Sequence, residues 1–329
     1  MEAQKMIVRV NASFAQGEEL FTLLKKYAQY SDDQFAYWDE CAFTVSAMPE
    51  TDALLIFNHP SEMIRIQTDP AKLIAFMMEP GIRRLHPWMF KGLDVYAQVF
   101  SPVPTANNII PSHGYLGWYF RDNWDFLSRL QVPQKTSSIS CIASDLKQLK
   151  GHRLRIQFID QLRQKMPQIE FFGKGSRFLP DKLSGLLPYR YSIAIENSAV
   201  PDYFTEKIND CFLSYTVPLY YGCTNIGKYF PEKAFVSIDI TKPHKAIKTI
   251  QDLLDNDDWS QRLAALEEAR FLVLNKYQPL AGAAAVFRSI PINGVKCEKV
   301  LTPVSHAISK PVMHFLKKLG GKKGTAQPR

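Results

Sequence analysis

Short apolar runs alternate with amphipathic stretches along nearly the whole chain, a pattern that predicts strand and helix repeats building parallel sheets. In the first half, Met6–Val10, Ala53–Phe57, Leu73–Met77 and Val95–Phe100 read as strands, with a helix over Glu18–Tyr27. The second half is more regular. Strands are expected at Ser138–Ala143, Ile169–Phe172, Tyr191–Ile195, Val217–Tyr221 and Ala234–Ile238. Helices are expected at His152–Lys165, Thr205–Tyr215, Lys245–Leu254 and Trp259–Tyr277, with a helical segment near Leu179–Leu187. This is a doubly wound βα series, in which ligands sit beyond the carboxyl ends of the strands. Between the halves, Pro102 to Pro133 is rich in Pro, Asn, Gly and Ser and lacks periodicity, so the domain boundary is expected near residue 134.

A chain of 329 residues exceeds one ordinary core, which supports two domains, 1–134 and 135–290, followed by a tail at 291–329. Hydrophobic residues at 46% and charged residues at 22% fit a folded globular protein. The start of the sequence has no signal-peptide pattern and no run of about 18 apolar residues occurs, so neither secretion nor a membrane span is expected. Five scattered cysteines, Cys41, Cys141, Cys211, Cys223 and Cys297, include no CxxC pair and suit a reducing cytoplasm. Asn11-Ala12-Ser13 matches a glycosylation sequon but carries no weight without a secretory route.

The net charge of +8 is concentrated in 309–329, which holds Lys310, Lys317, Lys318, Lys322, Lys323 and Arg329 and no acid. The remaining body is nearly balanced, which argues against nucleic acid as a partner. Two readings of that tail stand: an anchor for an anionic membrane surface on the cytoplasmic side, with Val312, Met313, Phe315, Leu316 and Leu319 as apolar contacts, or a solvated terminus.

Residues 189–235 concentrate the candidate chemistry. Strand Tyr191–Ile195 ends in Glu196-Asn197-Ser198, and a helix starts near Thr205 after a turn at Pro201-Asp202. Ile208, Cys211, Phe212 and Tyr215 recur at helical spacing and define its buried face, which puts Glu206 and Lys207 in the first turn. A helix N-terminus favours an anion, and Lys207 adds a full charge for holding a phosphate. The Glu206 oxygens suit sugar hydroxyls. The plainer alternative is that Thr205 or Asp202 caps the helix and Glu206 complements its dipole.

The ordered set Glu196-Asn197-Ser198, Asp202-Tyr203-Phe204-Thr205-Glu206-Lys207 and Val217-Pro218-Leu219-Tyr220-Tyr221-Gly222 resembles the α1,3/4-fucosyltransferases of glycosyltransferase family 10, in a bacterial, cytoplasmic type of member. The resemblance implies a GT-B architecture of two Rossmann-like domains facing a central cleft, with GDP-fucose as donor in the C-terminal domain and the acceptor bound by the N-terminal one. It implies that Lys207 binds the diphosphate, and that Glu206, Tyr203 and Asn197 lie near the ribose or fucose. Arg155, in an Arg-x-x-Phe-x-Asp-x-Leu pattern, resembles the family's second diphosphate-binding residue, with Arg153 as the competing assignment. The Gly173-Lys174-Gly175 turn is either a nucleotide contact or simply a turn.

In the first half the resemblance implies that Glu79, in Met78-Glu79-Pro80-Gly81, is the general base, with His86 and His59 as alternatives. The implied reaction is an inverting single displacement onto a hydroxyl of an oligosaccharide or lipid-linked surface glycan such as lipopolysaccharide. No catalytic metal and no cofactor beyond the donor is expected, because Asp255-Asn256-Asp257 follows a helical pattern rather than a strand. A transferase for another nucleotide sugar, or a catalytically silent binding protein, remains the alternative.

Overall fold

The computed structural model describes residues 5–82, 86–143, 150–173, 176–291 and 294–304. The chain divides into two compact units, Met1–Ile110 with Val286–Arg329, and Pro111–Ala285.

The first unit is built on an eight-stranded sheet: β1 (Met6–Ala12), β2 (Tyr30–Ser31), β3 (Ala36–Trp38), β4 (Cys41–Thr44), β5 (Ala53–Phe57), β7 (Leu73–Phe76), β8 (Gln98–Ser101) and β9 (Ile109–Pro111). Their spatial order is β2-β3-β4-β1-β5-β7-β8-β9. The central strands β4, β1, β5, β7 and β8 run parallel. Every residue of β5 and β7 is buried, as a sheet covered on both faces requires. The expected first helix, α1 (Gly17–Tyr27), buries Leu20, Phe21, Leu24 and Tyr27.

Strand β6 (Ile64–Thr68) escaped the sequence reading although its burial alternates strictly, Ile64, Ile66 and Thr68 in and Arg65 and Gln67 out. It pairs antiparallel with β15 (Cys297–Leu301), and Ile64, Ile66 and Leu301 join the core formed by Leu54, Ile56, Trp88 and Met89. The expected tail from 291 is therefore corrected in its first part, since β15 belongs to the first unit. The reason is electrostatic as well as apolar. Lys296 Nζ lies 3.0 Å from Glu50 and 2.8 Å from Asp52, and Arg288 bridges Asp39 and Glu40 at 2.9 and 2.8 Å. The basic segment 309–329 lies outside the described residues.

The second unit is a five-stranded parallel sheet ordered β11-β10-β12-β13-β14, from β10 (Ser137–Ile142), β11 (Glu170–Phe172), β12 (Tyr189–Ile195), β13 (Val217–Tyr221) and β14 (Val236–Ser237). Its helices are α2 (Trp124–Arg129), α3 (Lys150–Lys165), α4 (Glu206–Leu213), α5 (Pro243–Asn256), α6 (Leu263–Leu272) and α7 (Pro279–Arg288), the last crossing into the first unit. A π-helical turn at Val273–Tyr277 follows α6. Near Leu179–Leu187 only a 3-10 turn at Leu183–Gly185 forms.

Residues 111–134, given to the first domain by the boundary expected near 134, pack with the second unit. Residues 111–134 lack periodicity yet carry Trp118, Phe120 and Leu127, all fully buried, and they count with the second unit. α4 holds this segment: Asn209 Nδ2 donates to the carbonyls of Leu116 and Gly117 at 2.8 and 2.9 Å, and Asp210 Oδ1 accepts from Tyr119 N–H at 2.9 Å.

Candidate functional site

The residues singled out around 196–207 meet at the carboxyl end of β12. Glu196 leaves the strand with its N–H donating to the Tyr221 carbonyl at 2.8 Å, and its side chain is fully buried. One carboxylate oxygen accepts from Thr205 N–H and is also 2.8 Å from Thr205 Oγ1. Thr205 caps α4, accepting from Lys207 N–H. Lys207 Nζ then lies 3.0 Å from Glu196 Oε2, 3.1 Å from Thr205 Oγ1 and 3.5 Å from Glu206 Oε1. Burial opposes the lysine's charge, but Glu196 and Glu206 outweigh it and hold the ammonium above its ordinary range. A quarter of the Lys207 side chain stays exposed, which leaves a charged face for an anion.

Asp202 does not cap the helix. Its carboxylate accepts from Tyr229 Oη at 2.5 Å, Asn225 Nδ2 at 3.0 Å and Lys228 Nζ at 3.1 Å, which fixes the turn at Ile226–Lys228 beside the 202–205 loop. Phe204 is packed between rings from His113, Tyr229, Phe230 and Tyr277, with centroids 4.6 to 6.2 Å away. Tyr203 is buried beside Tyr220 and Cys223.

The first turns of α3 reach the same place. Arg155 is buried, and its Nη1 donates to Asn197 Oδ1 at 2.6 Å, whereas Arg153 is exposed. Burial lowers the Arg155 guanidinium from its usual value, and Glu196 and Glu206 act against that shift. His152, read from the sequence only as the start of a helix, is buried here. Desolvation, with Arg155 and Lys207 nearby, pushes its imidazole down to about 4, so it is neutral at physiological pH. Two helix starts, α3 and α4, thus converge on Glu196-Asn197 with Arg155 and Lys207 between them. That combination of backbone dipoles and cations favours a multiply charged anion.

Two glycines make the convergence sterically feasible. A Cβ at Gly222 would lie 2.4 Å from Glu196 Cγ and 2.4 Å from the Tyr220 hydroxyl, which explains the residue ending the Val217–Gly222 motif. A Cβ at Gly151 would lie 1.8 Å from the Asn197 carbonyl oxygen. Because that neighbour is backbone, α3 or the 196–198 loop must move. Gly151→Ala is expected to cost about 1–3 kcal/mol of stability, the range for overpacking, and to weaken anion binding at this cluster. Thermal denaturation and a binding isotherm check this, with Gly227→Ala as control because nothing lies within 4 Å of its added Cβ.

The expected one-sided burial of α4 is incomplete as a description. Ile208, Cys211, Phe212 and Tyr215 are buried as anticipated, but so are Glu206, Asn209 and Asp210. Lys182 reaches this polar side from the 179–187 segment and sits 2.6 Å from Asp210 Oδ2. Burial would raise the Glu206 carboxyl, yet Lys207, Lys182 and the Thr205 hydrogen bond hold it below its ordinary value. Asp257 ends α5 in a left-handed conformation and accepts from Arg190 at 2.5 Å. Asp258 accepts from Arg262 at 2.7 Å and caps nothing through its side chain. Among the described residues no group of three or more His, Cys, Asp or Glu is arranged to hold a metal ion. Lys174 and Gly175, of the glycine turn, lie outside the described residues.

In the first unit, Glu79 follows the carboxyl end of β7 and is buried. Asn58, just after β5, fixes this exit by accepting from Met78 N–H at 2.8 Å. His86 Nε2 lies 3.4 Å from Glu79 Oε2, and burial pushes its imidazole down to about 4. His59 is fully buried, with Nε2 2.7 Å from the Trp88 carbonyl oxygen. No described helix is long and apolar enough to cross a membrane.

The chain is 25% identical over 232 residues to a 3-galactosyl-N-acetylglucosaminide 4-alpha-L-fucosyltransferase of Bos taurus, covering 66% of this chain and 61% of that protein. It is 22% identical over 221 residues to a 4-galactosyl-N-acetylglucosaminide 3-alpha-L-fucosyltransferase of Homo sapiens, covering 64% and 59%. The matches thus span about three fifths of those relatives. The crystal structure of an alpha1,3-fucosyltransferase with GDP superposes with a TM-score of 0.52 over 88% of this chain and 91% of that one, at 15% identity, which establishes a shared fold of the GT-B class. Residues 132–263 match the model of the glycosyltransferase family 10 (fucosyltransferase) C-terminal domain, and the matched span contains α3, β12, α4 and β13. The matched span, which carries Arg155, Asn197, Tyr203, Glu206 and Lys207, is thus similar to the C-terminal domain of glycosyltransferase family 10.

Proposed function

We propose that the protein is an inverting glycosyltransferase that moves fucose from GDP-fucose to a hydroxyl of a surface glycan, in α1,3 or α1,4 linkage. The observation that carries this reading is the Glu196–Thr205–Lys207 cluster with Arg155 beside it, inside the span similar to the family's C-terminal domain.

In this reading the nucleotide diphosphate takes its place among Lys207, Arg155 and the starts of α3 and α4. Asn197 and Tyr203 line the sugar side, and Glu206 accepts hydrogen bonds from donor hydroxyls. The acceptor hydroxyl attacks the anomeric carbon from the face opposite the phosphate. The carbon–oxygen bond to GDP breaks as the new glycosidic bond forms, and configuration inverts. Charge builds on the departing diphosphate, so hydrogen bonds from Arg155 and Lys207 strengthen as the barrier is climbed and accelerate the step. Glu79 takes the proton of the acceptor hydroxyl. The cationic side chains bear the whole charge of the leaving group, and no metal enters the scheme.

Incubation of the protein with GDP-fucose and a panel of oligosaccharide and lipopolysaccharide-core acceptors, with GDP release as the readout, tests the proposal. Acceptor-dependent GDP release is the expected result. Release from a different nucleotide sugar alone would replace fucose as the transferred group, and tight GDP-fucose binding without release by any acceptor would favour a silent binding protein.

A further inference from the structure

The 202–205 loop delivers Thr205, Glu206 and Lys207 to the start of α4 from a backbone conformation that few side chains adopt. Asp202 has a φ of 55°, in the left-handed region, where aspartate and asparagine are tolerated better than most residues. The segment after β13 holds it there. Asn225 Oδ1 accepts from Asp202 N–H at 2.8 Å and Asn225 Nδ2 donates to Asp202 Oδ1 at 3.0 Å, so one amide grips both the backbone and the side chain of residue 202. Lys228 Nζ and Tyr229 Oη reach the same Oδ1 at 3.1 and 2.5 Å. Tyr229 also packs its ring 5.0 Å from that of Phe204, so the segment holds the loop at 204 as well as at 202. The same segment begins at Gly222, where a Cβ would lie 2.4 Å from Glu196 Cγ.

We propose that Asn225 is a positioning residue of the donor site: by locking Asp202 in its left-handed turn it sets the place of Thr205, and through Thr205 the place of the Lys207 ammonium. This role rests on the donor reading given above. Thr205 is where the two anchors of the cluster meet. From one side Glu196 accepts from its N–H at 2.8 Å, and from the other Asp202 lies three residues earlier in the chain. Thr205 Oγ1 in turn accepts from Lys207 N–H at 3.4 Å and lies 3.1 Å from Lys207 Nζ. A shift of the backbone at 202 therefore moves the cap, and the cap moves the lysine. Asn225 touches neither Lys207 nor Glu196 in any of these bonds, so its influence on the anion passes through the loop.

Titration calorimetry with GDP, alongside chemical denaturation of each protein, is the experiment. Asn225→Ala releases both bonds to residue 202 and should weaken GDP binding about tenfold, the factor expected when one hydrogen bond to a charged group is misplaced. In a Lys207→Met background the same change should cost less than about twofold, because the ammonium it positions is gone. In an Arg155→Met background it should still cost about tenfold, because that cation comes from α3 and not from the 202–205 loop. Asp202→Asn keeps an Oδ1 acceptor and a residue that tolerates the left-handed region, so it should bind GDP within about twofold of the parent. Tyr229→Phe removes one of the three donors to Asp202 and keeps the ring, and should lose about threefold, again only while Lys207 is present. This milder variant carries the test if Asn225→Ala does not fold. Unchanged affinity in both Asn225→Ala and Tyr229→Phe, or a loss that persists in full without Lys207, overturns the role of Asn225 while leaving the donor site standing. A loss in Asp202→Asn as large as in Asn225→Ala also overturns it, since the carboxylate's charge and not the lock would then be at work. Failure of the parent protein to bind GDP would overturn the donor reading itself.

Discussion

Replacing Lys207 by methionine is expected to lower GDP affinity about 100-fold and to destabilise the fold at the same time. Hydrogen bonds to charged groups contribute about 1.5–3 kcal/mol each, and about 1.4 kcal/mol corresponds to a factor of ten, so one ammonium reaching a diphosphate through two such bonds accounts for a loss of that size. The stability effect has a separate origin. Glu196 is fully buried, and Lys207 is the cation that meets it at 3.0 Å. Breaking a buried pair by removing one partner costs about 3–5 kcal/mol, and the lower end applies because a quarter of the Lys207 side chain already faces water. Glu196→Gln combined with Lys207→Met removes the stranded carboxylate, so the double variant should regain most of the stability and none of the affinity. Chemical denaturation and titration calorimetry on the three proteins separate these terms. Unchanged GDP affinity in Lys207→Met would remove the central support of the proposed donor site.

The fold and the site were legible to different degrees, for physical reasons. β5 and β13 appeared at their exact limits because each is a short continuous apolar run with both faces buried. The core of the Glu196–Thr205–Lys207 cluster was legible because capping chemistry, a first-turn lysine and a strand ending in Glu196 are all local in sequence. Lys182 and Asp210 were not, since each acts through a contact whose partner lies on another element. Gly151 was equally silent: only the approach of α3 to the Asn197 carbonyl shows why a side chain is excluded. The packing of 111–134 was not legible, because Pro and Gly mark irregular backbone and irregular backbone can still be anchored. Trp118 and Phe120 bury themselves without any repeat to announce it, while Asn209 and Asp210 satisfy the polar groups around them.

Glu79→Gln is expected to cut kcat by about 10² to 10⁴ while leaving GDP affinity within about twofold, because a general base acts in the transition state and the nucleotide contacts lie on other residues. The two histidines weighed against Glu79 can be distinguished by geometry. His59 directs Nε2 at the Trp88 carbonyl at 2.7 Å, so that nitrogen carries the proton and cannot accept one. His86 lies beside Glu79 with its imidazole pushed down to about 4 by burial, so between pH 5 and pH 8 it stays neutral. A neutral His86 with its proton on Nε2 faces Glu79 Oε2 at 3.4 Å. His86→Gln can still reach with an N–H donor and should therefore lose much less activity than Glu79→Gln. The pH profile of kcat/KM for the acceptor, taken at saturating GDP-fucose, adds an independent readout. Its acid limb should persist in His86→Gln and vanish in Glu79→Gln. A Glu79→Gln protein that retained full turnover, or one whose acid limb was unchanged, would move the base to another residue.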